Sequence, residues 1–273
     1  MAKENAKPNR LLAGQATRLS RTMHDIRYDA VHDEFFVTNP FAHAVLAYRG
    51  GANGDEAPIR IIQGPGTRLG DVGHDPALSP DYQYGVDRLD IDPIHNEIFV
   101  PARDKVLVYS RTANGDAAPI RVLHGPDTRL GFSARSIAVD PVRNLIVVGC
   151  EKTLLVFNRT DQGNVKPRGV ITGPDVGSVK RGGNAMGGSV IHIAPKGWIV
   201  TVVGYAKEAD GSAYIGIWNI NDHGNIAPRW KLGGPQSTLL RPRGISLNPR
   251  DKEVYVADMY QNAILTYYFP EIF

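Results

Sequence analysis

The sequence predicts an all-β fold, a single β-propeller of about five four-stranded blades spanning residues 1–273, and three observations carry that expectation. A long motif recurs along the chain, each recurrence is filled by short apolar runs between turn residues, and the two ends supply complementary parts of one unit.

The recurrence is plain in two copies. Ala52-Asn-Gly-Asp-Glu-Ala-Pro-Ile-Arg-Ile-Ile-Gln-Gly-Pro-Gly-Thr-Arg-Leu69 returns as Ala113-Asn-Gly-Asp-Ala-Ala-Pro-Ile-Arg-Val-Leu-His-Gly-Pro-Asp-Thr-Arg-Leu130. Weaker copies run from Gln162 to Gly177 and from His223 to Leu239, and a shortened one opens the chain at Pro8-Asn-Arg-Leu-Leu-Ala-Gly-Gln-Ala-Thr-Arg-Leu19. A shared proline falls at Pro8, Pro58, Pro119, Pro167 and Pro228, and an aromatic marks the third apolar run of each unit at Tyr48, Tyr109, Phe157, Trp218 and Tyr267. The two series keep step, so they define five units.

Within a unit the apolar runs read as strands a to d, separated by Gly, Asn, Asp and Pro turns. In unit two these are Arg88 to Asp92, Glu97 to Val100, Val106 to Tyr109 and Ile120 to Leu123. The c-to-d turn carries an Asn-Gly step, which favours positive φ. A lone four-stranded unit cannot bury both faces, so units must stack. Because the chain begins in a strand d and ends after a strand c at Ile264-Leu-Thr-Tyr-Tyr268, the N-terminal strand is expected to complete the last blade and close the ring.

Composition fits a globular chain and excludes several classes of function. Hydrophobic residues make up 42% and charged residues 22%, enough apolar material for a substantial core. The net charge of +3 is dispersed along the chain, so nucleic acid is not an expected partner. No apolar run reaches the roughly 20 residues of a membrane helix, and no insertion into a membrane is expected. The compartment stays open: extracytoplasmic if a signal peptide has been removed, otherwise cytoplasmic. Cys150, the single cysteine, reads as packing.

Two stretches, Asp140-Pro-Val-Arg-Asn-Leu-Ile-Val-Val and Asn248-Pro-Arg-Asp-Lys-Glu-Val-Tyr-Val-Ala-Asp258, resemble NHL-repeat and related bacterial propellers, and the likeness extends over essentially the whole chain. The resemblance implies the propeller fold. It also implies either a partner-binding scaffold or a metal-dependent lyase, lactonase or hydrolase. Relatives usually have six blades or more, and no motif here matches their catalytic residues position by position.

Insertions suggest which face works. The d-to-a and b-to-c connections share one face, and the long ones all belong to it: Gly70 to Gly85, Asp175 to Gly188 and Gly204 to Ala213. The first residues of the a strands open onto the same face around the central channel, as His24-Asp25, Asp87-Arg88, Arg135-Ser136, Ser189-Val190 and Arg243-Gly244. Deeper positions are Arg27, Asp90, Ala138, His192 and Ser246, while Ile26, Leu89, Ile137, Ile191 and Ile245 between them are expected to be core.

The candidate ligand-binding residues are therefore Asp25, Arg88, Arg135, Ser189 and Arg243, with Tyr82, Tyr84, Tyr205 and Tyr260. The arginines could hold an anion by charge-assisted hydrogen bonds, or pair with Asp25 and Asp87 to brace the blades. A divalent metal is the sharper alternative, with His24, Asp25, Asp87, Asp90 and His192 as candidate ligands, although no HExxH or CxxC spacing supports it. His24, Asp87 and His74 are the candidate acids or bases. The recurrent Thr-Arg-Leu at Arg18, Arg68 and Arg129 reads as a brace.

The functional expectation is a binding or scaffold propeller that receives a protein, peptide or small anionic ligand on the inserted face. The alternative is a metal-dependent, lactonase-like lyase or hydrolase at the channel mouth.

Overall fold

The computed structural model describes residues 7–20, 23, 25–71, 86–131, 134–150, 153–172, 190–204 and 211–273. They form five antiparallel sheets in chain order, the blades of one propeller. Blade one is β1 (Ile26–Asp29), β2 (Glu34–Asn39), β3 (Ala44–Arg49) and β4 (Arg60–Ile62), and blade two is β5 (Asp90–Asp92), β6 (Glu97–Ala102), β7 (Lys105–Ser110) and β8 (Arg121–His124). Blade three is β9 (Ser136–Asp140), β10 (Leu145–Cys150), β11 (Thr153–Asn158) and β12 (Gly169–Thr172). Blade four comprises β13 (Ile191–Ala194), β14 (Trp198–Val203), β15 (Tyr214–Asn219) and β17 (Trp230–Gly233), and its turn strand β16 (Gly224–Asn225) pairs with β12. Blade five has β18 (Pro242–Asn248), β19 (Glu253–Asp258) and β20 (Ala263–Tyr268). No helix among the described residues is long and apolar enough to cross a membrane.

The core lies between consecutive blades. Phe36, Leu89 and Tyr109 help fill the first junction, Phe99, Ile137 and Phe157 the second, Val147, Ile191 and Trp218 the third, and Ile217, Val256 and Leu239 the fourth. Residues alternate across each strand, so one sheet supplies apolar side chains to both neighbours.

The Thr-Arg-Leu brace has a definite construction. A glycine with positive φ opens a single 3-10 turn, the Thr67 hydroxyl donates to the Gly64 carbonyl at 2.6 Å, and Arg68 takes the left-handed conformation at φ +63°. Thr17, Thr128 and Ser237 repeat the hydroxyl bond. The strand-c tyrosines then reach the braces: Tyr48 donates to the Thr17 carbonyl, Tyr109 to that of Thr67 and Tyr267 to that of Ser237. Tyr109→Phe is expected to cost about 1–2 kcal/mol in a urea titration, because it strands a buried carbonyl while keeping the ring.

Charged bolts join the blades at the end away from the insertions. Glu34 accepts from Arg60 of its own blade at 2.5 Å and from Arg111 of blade two at 2.6 Å. Glu97 accepts two bonds from Arg121 at 2.7 Å and a further one from Arg159 of blade three. In the a-to-b turns, His32 and His95 each turn a ring nitrogen to a buried aspartate, Asp29 or Asp92, and Arg143 does the same with Asp140. These histidines are turn fixtures.

Among the described residues the last sheet pairs β18, β19 and β20, and the N-terminal strand bridges Gly54 of blade one through Leu12, as β4, β8 and β12 bridge the turn of the blade that follows each of them. One expectation needs correction: Leu89, Ile137, Ile191 and Ile245 are buried, but Ile26 is 60% exposed because no blade packs over its side.

Candidate functional site

The a strands start at the channel, and the residues just before them carry the charge. Arg88 precedes β5 and is buried, Arg135 precedes β9 and is exposed, and Arg243 lies half-buried at a bulge in β18 between Pro242 and Gly244. Asp87 is fixed by a bond from the Thr38 hydroxyl to its carbonyl at 3.1 Å. Burial pulls the Arg243 guanidinium below the usual arginine range, and the positive charges of Arg88, Arg241 and Arg135 push the same way while Asp87 opposes them. Four arginines thus bear on one place. On the rim, the Arg241 guanidinium stands 5.6 Å from the centre of the Tyr260 ring, within cation–π range.

One layer deeper, Arg27 joins two carboxylates. Its Nη1 donates to Asp25 at 2.7 Å and its Nε to Asp90 at 3.2 Å. Both aspartates also accept from the next blade, Asp25 from the Leu89 amide at 3.2 Å and Asp90 from the Val139 amide at 2.8 Å. Burial pushes both carboxyls above their usual range, against the pull of Arg27. His192 makes the matching contact from blade four, its Nε2–H donating to the Ile245 carbonyl at 2.9 Å. Burial first, then the Arg27 charge, lowers the His192 pKa to about 3, so the ring is neutral at physiological pH.

A cleft of 1210 Å³ opens beside these groups between blades one and five. Its floor is Asp25, Arg27, Arg88 and His192, and its walls are apolar, with Ile26, Tyr28 and Phe35 on one side and Ala257 and Met259 on the other. The polar floor was legible in the sequence. The apolar walls were not, since Ile26 follows the same pattern as its four buried counterparts.

Of the residues singled out from the sequence, Asp25, Asp87, Asp90, Arg88, Arg135, His192, Arg243 and Tyr260 are described and gather at or near the channel mouth. His24, His74, Tyr82, Tyr84, Ser189 and Tyr205 lie outside the described residues, as do most positions of the three long insertions. Among the described residues no three His, Cys, Asp or Glu side chains form a metal cradle. Arg27 stands among the metal candidates Asp25, Asp90 and His192, holding the first two and acting on the third by its charge. Its role was missed in the sequence because Asp90, the partner that makes it a link, lies on another blade. Cys150 is buried in the core between blades two and three, as its apolar surroundings suggested.

No family model matches the chain, and no curated protein does. Among solved structures, hydrazine synthase of Kuenenia stuttgartiensis aligns with a TM-score of 0.57 at 12% identity, over 89% of this chain and 58% of that one. A putative 6-phosphogluconolactonase from Bacteroides uniformis aligns with a TM-score of 0.55 at 18% identity, over 88% of this chain and 65% of that one. The chain therefore spans less than two thirds of the length of either, and at these identities what it shares with them is the propeller fold.

Proposed function

We propose that the protein is a binding propeller whose channel mouth takes an anionic group, the carboxylate or phosphate of a small ligand or the acidic end of a peptide. The crowding of Arg88, Arg135, Arg241 and Arg243 carries this reading, because like charges held together in a partly buried place are relieved by an anion. The arginines sit at the end of the sheets from which residues 72–85, 173–189 and 205–210 depart, the face where a rigid scaffold offers variable loops to a partner. Apolar walls beside the floor suit the uncharged remainder of a ligand. The NHL-like stretches support the same reading by resemblance.

Titration calorimetry with inorganic phosphate and with citrate tests it. Binding is expected to weaken as salt is raised and to fall at least about tenfold in Arg243→Ala, the loss of one charge-assisted contact. Affinity unchanged by that substitution would sink the proposal. The rival reading, a metal-assisted hydrolase, draws on the raised pKa values of Asp25 and Asp90 beside a cleft and on the propeller likeness to the putative 6-phosphogluconolactonase. Lactone hydrolysis that requires added divalent metal, and is lost in a folded Asp90→Asn variant, would replace the binding reading with that one.

A further inference from the structure

Blade five differs from the other four at one point on the channel rim. Where strand a begins, Asp25, Arg88, Ser136 and Val190 carry side chains, and the corresponding residue of blade five is Gly244. Its backbone makes no demand for glycine. Gly244 does not take a positive φ, it pairs with Ala257 in the β18–β19 ladder, and among the described residues a Cβ placed there would meet only the Ala257 methyl, at an ordinary contact distance of 3.4 Å. The missing side chain leaves a gap beside Arg243, and both residues line the 1210 Å³ cleft, so the arginine mouth and the cleft are continuous there.

The two sides of that gap have opposite chemistry. Arg88 and Arg243 stand at the mouth. Below them is the blade-one wall, where Ile26 pairs with Val37 and Tyr28 with Phe35, which puts all four side chains on one face. Ile26 and Tyr28 are 60% and 58% exposed, and Met259 on the facing side is 53% exposed. The wall is held in shape by its own contacts: the Phe35 ring stacks on buried Tyr48 at 5.0 Å, and the Tyr28 hydroxyl donates to Asp33 at 2.8 Å. On the floor Arg27 is spanned by Asp25 and Asp90, two carboxylates to one guanidinium, which favours a ligand head with a single negative charge.

We propose that the ligand is an amphipathic monocarboxylate and that Gly244 determines this specificity: the carboxylate is held by Arg88 and Arg243, and its hydrocarbon chain passes Gly244 to lie along the blade-one wall. The inference rests on the reading of the channel mouth as an anion site and adds the chemistry of what the anion is attached to. A bare anion at the mouth leaves Ile26, Tyr28 and Met259 in water, whereas a chain covers them and is itself withdrawn from water. A side chain longer than a methyl at position 244 would stand in the passage. Gly244 acts here by leaving space.

Titration calorimetry with acetate, butanoate, hexanoate and octanoate tests it, with inorganic phosphate as the reference for the anion site. In wild type the affinity is expected to rise about two- to fourfold for each added methylene, as burial of hydrocarbon dictates. In Gly244→Leu the rise is expected to stop at the shortest acids, and in Ile26→Ser to be shallower. Each variant is read as the slope of its own series, so a change in affinity for the head cancels. Position 244 accepts a side chain without backbone strain, Ile26 is exposed, and an unchanged melting temperature confirms folding. A flat series in a wild type that binds phosphate would overturn this inference and leave the anion reading standing. Binding of neither phosphate nor any of the acids would remove both. A Gly244→Leu series as steep as that of wild type would overturn the inference by showing that the chain does not pass residue 244.

Discussion

Replacing Glu97 by alanine is expected to lower the unfolding free energy by about 3–5 kcal/mol, the usual cost of leaving a buried ion-pair partner uncompensated. Glu97 is buried at the start of β6 and receives Arg121 from its own blade and Arg159 from blade three. Burial alone would raise its pKa, yet the hydrogen bonds and charges of the two arginines hold it below the usual glutamate range. The substitution removes the carboxylate that Arg121 and Arg159 share and leaves both guanidinium groups in place with little water around them, Arg159 retaining Asp92 at 3.5 Å. A urea titration of Glu97→Ala should show a loss beyond the cost of a lost surface pair, which is about 0–1 kcal/mol, and Glu34, which has the same arrangement with Arg60 and Arg111, should behave alike. A loss within that surface range would mean that the bolt does not hold blades two and three together.

His192 is expected to make the fold acid-labile. Its pKa is 6.5 as the unperturbed side chain and about 3 in the folded protein, so the unfolded chain binds a proton that the folded chain refuses. The contribution is fully present above pH 6.5 and is lost as pH falls from there to about 3. At about 1.4 kcal/mol per pH unit the accumulated loss is about 5 kcal/mol. Asp25 and Asp90 act in the opposite sense, because carboxyls whose pKa is raised by folding favour the folded state as pH falls. Comparison with His192→Gln separates the effects: glutamine can still donate to the Ile245 carbonyl but does not titrate. Stability curves for the two proteins should converge as pH falls below 6.5, and curves that stay parallel would remove His192 from the account.

Much of the blade architecture could be read from the sequence because its determinants are local. Proline, Asn-Gly and the strand-c aromatics recur at matching points, and each fixes a turn or fills the junction beside it. Strand a of unit two was expected from Arg88 but begins at Asp90, since the Leu89 amide goes to the Asp25 carboxylate of blade one instead of to β6. That choice depends on a residue 64 positions away. Arg27 was legible as polar and channel-facing, but its grip on Asp90 crosses a blade boundary and leaves no local pattern. Ile26 shows the limit most clearly: its residue type and position match four buried neighbours, and only the lack of a packed blade beside it makes it exposed.

The strands that clasp the following turn also determine how such a molecule yields to heat. Ile62, Leu123 and Ile171 each belong to two blades at once, so loosening one blade withdraws an edge from its successor. Coupling passes between nearest neighbours, as along a zipper. The middle blades can open only by dragging both sides with them, whereas blade five, whose sheet pairs three strands among the described residues, sets the temperature at which unravelling starts.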